Sequence, residues 1–463
     1  MALIESFSGI RGIYGKDLTE STAIKYTYSY LSFLKNKTEK NNVTLVLGMD
    51  TRQSGLKLSD AVLEILDCNF IEVGILPTPA IELAVRHFNA DGGIMITASH
   101  NEPYWNGFKF LGDDGAVLNE KEMTNVIRNS KSFKNFHKIQ DRKIRDKNAD
   151  ALKDYEGFIF DLIGQKNLNK IKESNQKIVI DPNGGAGIIA KKILQNAGVN
   201  VIGINMEAGT FNRQVEPSED SLVYLKSVID QNKADFAAGF DCDADRVGIL
   251  MDDGQFLSGN YILALVVYEA LSNIKNPKNQ IVVINDATSN VVRDVAEKFG
   301  AKIKEVEVGE TNVVEEMKKS KSIVGGEGSS GGAIISPSKC RDGILTLLTI
   351  LSIVAKKREK LHDMVSGFPA YHNLREKMEF DSAKHDQIKE YLKNNYSRKG
   401  FEAREANGIR GSLKVIVSKN SFVWFRASKT ESNLFRVISD SNNKEEARKL
   451  LDEAINLFKE ANE

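Results

Sequence analysis

A chain of 463 residues exceeds one typical domain, and about three or four are expected. Lys+Arg and Asp+Glu balance at 63 each, so no net field draws the protein to nucleic acid or an anionic membrane. Three separated cysteines (Cys68, Cys242, Cys340), with no CxxC spacing, read as reduced thiols rather than a disulfide or zinc framework. No apolar run approaches the ~20 residues that span a bilayer, and Met1 to Ser6 hold no basic stretch before a long apolar core. A cytoplasmic protein without a membrane partner is expected.

From the N-terminus, strand and helix signals alternate. Thr19 to Leu34 has apolar residues at helical spacing, and Val43 to Leu47 is a short strand ending in Gly48-Met49-Asp50-Thr51-Arg52. Leu58 to Leu66 and Ala80 to Phe88 read as helices, and Gly93 to Ile96 as a buried strand running into Thr97-Ala98-Ser99-His100-Asn101. The order predicts a mostly parallel sheet with helices on both faces and ligands at the strands' carboxyl ends. A lysine-rich stretch near Asn129 to Asn148 reads as a linker.

The alternation then restarts. Ile178 to Ile180 leads to Asp181-Pro182-Asn183-Gly184-Gly185 with a helix from about Ile188, and Phe236 to Phe240 ends in an acidic loop. Ile281 to Ile284 leads to Asn285-Asp286-Ala287-Thr288, with a helix from about Asn290. In the last hundred residues, helices at His385 to Tyr391 and Lys444 to Phe458 flank alternating runs at Ser412 to Val417, Ser421 to Phe425 and Leu434 to Ser439. That pattern predicts an α+β domain with an antiparallel sheet.

The acidic loop is Asp241-Cys242-Asp243-Ala244-Asp245-Arg246. Three crowded carboxylates repel unless a cation sits among them, and oxygen ligands without histidine or paired thiolates suit Mg²⁺. Arg246 points to a ligand with negative oxygens, such as phosphate. An EF-hand needs Gly and Glu where Arg246 and Asp252 stand, so that reading fails. A strand-end D-x-D also opens haloacid-dehalogenase-type phosphotransferases, with the first Asp as nucleophile, and that alternative stays open.

Ser99, after a buried strand and between small Ala98 and polar His100, is a candidate nucleophile; equally, it could cap a turn. His100 on its own reads more readily as structural than as a base. Gly325 to Gly332 is glycine-rich around one acid, and Glu327 fits as an acceptor for sugar hydroxyls, with Ser329 or Ser330 beside it. Arg426-Ala427-Ser428-Lys429-Thr430-Glu431-Ser432-Asn433 joins two strands and carries the donors of a phosphate-binding loop.

Together, over essentially the whole chain and in order, these segments resemble the α-D-phosphohexomutase superfamily: phosphoglucomutases, phosphomannomutases and phosphoglucosamine mutases. Ser6-Phe7-Ser8-Gly9-Ile10-Arg11-Gly12 is similar to its N-terminal arginine motif, Thr97 to Asn101 to its phosphoserine loop, and Asn106-Gly107-Phe108-Lys109 to its lysine segment. Asp241 to Arg246, Gly326-Glu327 onward and Arg426 to Glu431 resemble its metal, sugar and phosphate loops. Glu102 replaces a common proline, Cys242 replaces a glycine, and Val308-Gly309-Glu310-Thr311 lacks the family's frequent Lys or Arg. The loop of Glu327 is one residue longer than usual.

The resemblance implies three related mixed-sheet α/β domains followed by a smaller α+β C-terminal domain, with expected spans 1–150, 151–253, 254–365 and 366–463. It implies a phosphohexomutase in which Ser99 carries phosphate and, with Asp241, Asp243 and Asp245, binds one Mg²⁺. Lys109, Arg11 and His100 join Ser99 as catalytic residues. Arg246, Glu327, Ser329 or Ser330, Arg426, Ser428 and Thr430 bind a hexose phosphate, with hexose 1,6-bisphosphate as activator. Glucosamine phosphate is slightly favoured by the histidine-free Glu327 loop, against dual mannose and glucose phosphate specificity; a phosphatase-like or non-catalytic protein is the remaining alternative. A monomer or homodimer is expected.

Overall fold

The computed structural model describes residues 3–65, 67–131, 143–406, 411–428 and 433–462. Two compact units emerge, one of residues 1–262 with 330–363 and one of 263–329 with 364–463.

In the first unit, seven strands run in the order Ile4–Ser6, Gly9–Ile13, Trp105–Leu111, Gly92–Ile96, Thr44–Met49, Asn69–Ile75 and Ile144–Asp146. Three of the neighbouring pairs are parallel and three antiparallel. The sheet is thus evenly mixed, not mostly parallel: Trp105–Leu111 returns as a hairpin partner of Gly92–Ile96 and carries the N-terminal strands antiparallel beyond it. Helices Glu20–Thr38 and Ser54–Ile65 bury apolar residues such as Tyr30, Leu34, Leu58 and Val62 in one core with Ile94, Ile96, Phe108 and Phe110.

The unit's second sheet runs Phe256–Leu257, Val247–Met251, Phe236–Phe240, Lys177–Asp181 and Asn200–Gly203. Phe236–Phe240 is parallel to Lys177–Asp181 and antiparallel to Val247–Met251. Helix Gly343–Lys357, capped by the Asp342 side chain on Leu345 N, belongs to this unit and is almost wholly buried.

In the second unit, Ile281–Asn285 pairs in parallel with Lys302–Val306 and Val324–Gly326. A separate antiparallel sheet runs His372–Glu379, Leu434–Ser441, Ser421–Ala427, Leu413–Ser418 and Glu402–Glu405. One face packs on helices His385–Arg398 and Lys444–Asn462 through Leu392, Tyr396, Leu451 and Phe458. These are the expected α/β sheets and the expected antiparallel C-terminal sheet. Among the described residues no helix is long and apolar enough to cross a membrane. Most of the expected linker, residues 132–142, lies outside the described residues.

Candidate active site

The fully buried strand Gly92–Ile96 delivers Ser99 to the carboxyl end of the first sheet. Ser99 is buried with φ +51°, a left-handed conformation uncommon for a residue with a Cβ. Its N–H donates to Thr97 Oγ1 at 2.8 Å. Its Oγ lies 3.2 Å from Asp241 Oδ2 across 142 positions of sequence. The expected nucleophile and the acidic loop therefore meet.

Phe236–Phe240 ends at Asp241 and Val247–Met251 begins after Arg246, so the acidic loop links an antiparallel pair. The left-handed turn falls on Ala244, φ +52°, which leaves Cys242 on ordinary backbone in place of the family's glycine. Cys242 is a free thiol that burial pushes well above its usual pKa. All three aspartates are 0% exposed, with one oxygen from each within 4.8 Å of the others.

Burial first, then repulsion from Asp245 and Asp243, holds the Asp241 carboxyl well above the usual carboxylate range. Burial acts the same way on Asp245 but is outweighed by Arg341, Lys109 and Arg246, which hold it far below. Asp243 Oδ1 and Asp245 Oδ1 are buried with no hydrogen-bond partner among the described residues. Orphaned carboxylate oxygens in a dry site are costly unless a cation reaches them. Three aspartates and a hydroxyl, all hard oxygen donors, fit one Mg²⁺.

Lys109, on the buried strand Trp105–Leu111, places Nζ 2.7 Å from Asp243 Oδ2 and 3.0 Å from Asp245 Oδ2. Arg11 donates to Asn101 Oδ1 at 3.1 Å, and burial brings its guanidinium down to about 10. His100 is driven well below its normal pKa by burial and by Arg246 and Arg11, which keeps it a neutral imidazole at pH 7. Arg246 pairs at 2.5 Å with Glu216, whose other oxygen is 3.8 Å from His100 Nε2. Glu102 accepts from Val215 N at 3.4 Å, so the residue in proline's place ties the serine loop to the loop that carries Glu216.

In the second unit, Glu327 is buried, and its Oε1 accepts from Asn285 Nδ2 at 3.0 Å and Gly309 N at 2.8 Å. Gly309 thus engages the acid through its backbone in a loop that lacks the family's basic side chain. Ser329 is exposed. Ser330, in the first unit, accepts from Arg341 Nη1 at 3.0 Å. Arg426 lies within its strand rather than in the loop, 3.4 Å from Glu307, and Ser428 follows it, buried. Thr430 lies outside the described residues.

Several residues at the site carry no local sequence signal. Thr78, at the start of helix Thr78–His87, donates its hydroxyl to Asp243 Oδ2 at 2.5 Å. Arg341 Nη2 bonds Asp245 Oδ2 at 3.2 Å, and Glu216 holds Arg246. Arg436 stands directly opposite Arg426 in the strand register, with Lys377 on its other side, so three cationic residues line up across the sheet. Only strand register, absent from a bare sequence, would have exposed that row.

Models of the phosphoglucomutase/phosphomannomutase alpha/beta/alpha domains I, II and III match residues 5–136, 156–254 and 258–371. The fold is that of the open-form phosphoglucomutase pp63/parafusin of Paramecium, at TM-score 0.82 and 20% identity over 99% of this chain and 94% of that one. The phosphoglucomutase/phosphomannomutase of Thermococcus kodakarensis is 31% identical over 462 residues, 98% of both chains. The phosphoglucosamine mutase of Prochlorococcus marinus is 34% identical over 381 residues, 80% of this chain and 81% of that one. The chain belongs to the phosphoglucomutase/phosphomannomutase family of the α-D-phosphohexomutase superfamily, whose members are isomerases acting as intramolecular phosphotransferases.

Proposed function

We propose that this protein interconverts hexose 1-phosphate and hexose 6-phosphate through phosphoserine at Ser99 and a hexose 1,6-bisphosphate. The observation that carries the reading is Ser99 Oγ, on a buried left-handed residue, 3.2 Å from Asp241 in a cluster of three buried carboxylates. Ser99, Asp241, Asp243 and Asp245 would hold one Mg²⁺, which when bound neutralises phosphoryl oxygens.

The chain's own residues supply the rest. Phosphoryl transfer needs in-line placement and charge balance more than covalent help. Ser99 gives its phosphoryl group to a sugar hydroxyl, whose proton passes to the neutral imidazole of His100, while the cationic Lys109 and Arg11 balance the charge of the phosphoryl group. The bisphosphate turns round, and its other phosphate re-phosphorylates Ser99. Arg246 orients the substrate, moving from Glu216 to the ligand's oxygens. Arg426, Ser428 and Thr430 hold the distal phosphate in either orientation, and the arginine row containing Arg426 supports this assignment. Glu327, fixed by Asn285 and Gly309, reads sugar hydroxyls, with Ser329 the exposed hydroxyl beside it and Ser330 turned to Arg341.

Glucosamine phosphate is the proposed sugar, with dual phosphomannomutase/phosphoglucomutase specificity as the alternative. Relatives bearing both names match this chain at modest identity. Turnover of glucosamine 6-phosphate, glucose 1-phosphate and mannose 1-phosphate, with Mg²⁺ and a trace of hexose bisphosphate, ranks the sugars. The largest kcat/KM for glucosamine phosphate supports the assignment; a larger value for either other sugar replaces it. Activity surviving in Ser99→Ala, with phosphate trapped on Asp241, would move the chemistry to the aspartate.

A further inference from the structure

We propose that Arg52, anchored by Asp50, is a positioning residue that locks the serine loop in its reactive conformation. The inference rests on Ser99 as phosphoryl carrier. Thr44–Met49 and Gly92–Ile96 are parallel neighbours, so Asp50-Thr51-Arg52 emerges beside Thr97-Ala98-Ser99, and Asp50 N donates to Ile96 O at 3.0 Å. Arg52 is 2% exposed and Asp50 1%. Asp50 forms a close ion pair with Arg52 Nη1 and accepts from Arg52 N at 2.9 Å, which fixes the guanidinium. Arg52 Nη2 then donates to the carbonyl oxygens of Ser99, at 2.8 Å, and Asn101, at 2.5 Å.

Burying a guanidinium is expensive, and two strand ends can pack without one. What this one does is grip the backbone on both sides of His100. Ser99 at φ +51° is disfavoured by its Cβ and persists only where its surroundings over-determine it. Its N–H is held by Thr97, its carbonyl by Arg52, and its Oγ lies against Asp241. A rigid planar fork can serve a carboxylate and two carbonyls at once, whereas a lysine ammonium is a point charge on a flexible stem. In-line transfer tolerates little error, and a displacement of about 1 Å costs on the order of 100-fold in rate. No hydrogen bond joins Arg52 to the Ser99 hydroxyl among the described residues, so its effect runs through the Ser99 backbone.

The test compares Arg52→Lys, Asp50→Asn and Ser99→Ala in the full chain, reading kcat and KM for a hexose 1-phosphate together with the melting temperature. Arg52→Lys should lower kcat by about 100-fold while KM stays within about threefold of the parent. Asp50→Asn keeps the acceptor for Arg52 N but loses the charge, and should lower kcat by about tenfold with the same flat KM. A folded Arg52→Lys with parental kcat, or a loss carried by KM, overturns the proposal. Should Arg52→Lys fail to fold, Asp50→Asn decides on the same terms. Inactive Ser99→Ala beside unimpaired Arg52→Lys and Asp50→Asn sinks this inference alone; active Ser99→Ala sinks the phosphoserine reading with it.

Discussion

Lys109→Met probes the acidic cluster directly. Lys109 is 5% exposed, and its ammonium touches Asp243 and Asp245 at 2.7 and 3.0 Å. At an effective dielectric near 20, each contact is worth about 5–6 kcal/mol gross, much of it offset by desolvation of the ammonium. Losing one partner of a buried ion pair leaves a net cost of about 3–5 kcal/mol. The nearest remaining cations, Arg341 at 3.2 Å and Arg246 at 3.8 Å from Asp245, compensate only partly. The variant should therefore lose about 3–5 kcal/mol of first-unit stability in EDTA. Saturating Mg²⁺ should narrow that deficit, because the ion takes oxygens that Lys109 has vacated. Urea unfolding followed by Trp105 fluorescence in a Trp424→Phe background reads the first unit separately. A deficit below about 1 kcal/mol in EDTA, or one unchanged by Mg²⁺, would refute the electrostatic account.

Three further outcomes are expected. Burial raises the Asp342 carboxyl to about 6 from 3.8, so the folded state favours its protonated form. That stability is present below pH 4 and lost as pH rises through 6, by about 3 kcal/mol for the fully buried group. Asp342→Asn, which can still accept from Tyr155 and Leu345, should flatten the fall in urea-unfolding stability over that window. A Cβ on Gly331, at φ +54°, would sit 2.2 Å from Val247 O. Gly331→Ala should cost about 1–3 kcal/mol and weaken Mg²⁺ binding measured by calorimetry. Glu216→Gln weakens the hold on Arg246 and should lower KM for hexose phosphates by about three- to tenfold, the difference between a charge-assisted and a neutral hydrogen bond; an increase in KM would speak against competition for Arg246.

Strands that end in chemistry were legible because their apolar runs stop abruptly at polar loops. Phe236–Phe240 and Val247–Met251 fall where the hydrophobic runs around the acidic loop place them. Trp105–Leu111 escaped because Asn106 and Lys109, both buried, interrupt the apolar run that marks a strand buried on both faces. His372–Glu379 escaped for the opposite reason: as an edge strand it is largely charged and exposed, and only Leu374 and Met378 reach the core. The site divides the same way. Ser99, Lys109 and the three aspartates sit in recognisable local patterns. Thr78, Arg341 and Glu216 matter only through partners 165, 96 and 30 positions away, and nothing local marks them. Asp50 and Arg52 were visible as a polar strand end, but their grip on Ser99 needed the pairing of two parallel strands.

The central claim is that Ser99 carries the phosphoryl group. Peptide mass spectrometry of the purified chain after incubation with hexose 1,6-bisphosphate and Mg²⁺ tests it, followed by a single-turnover chase with hexose 1-phosphate. Phosphate should appear on the peptide containing Ser99 and leave it at the rate of catalysis, with none on Asp241. A Ser99 that stays unmodified while sugar phosphates are interconverted would contradict the account.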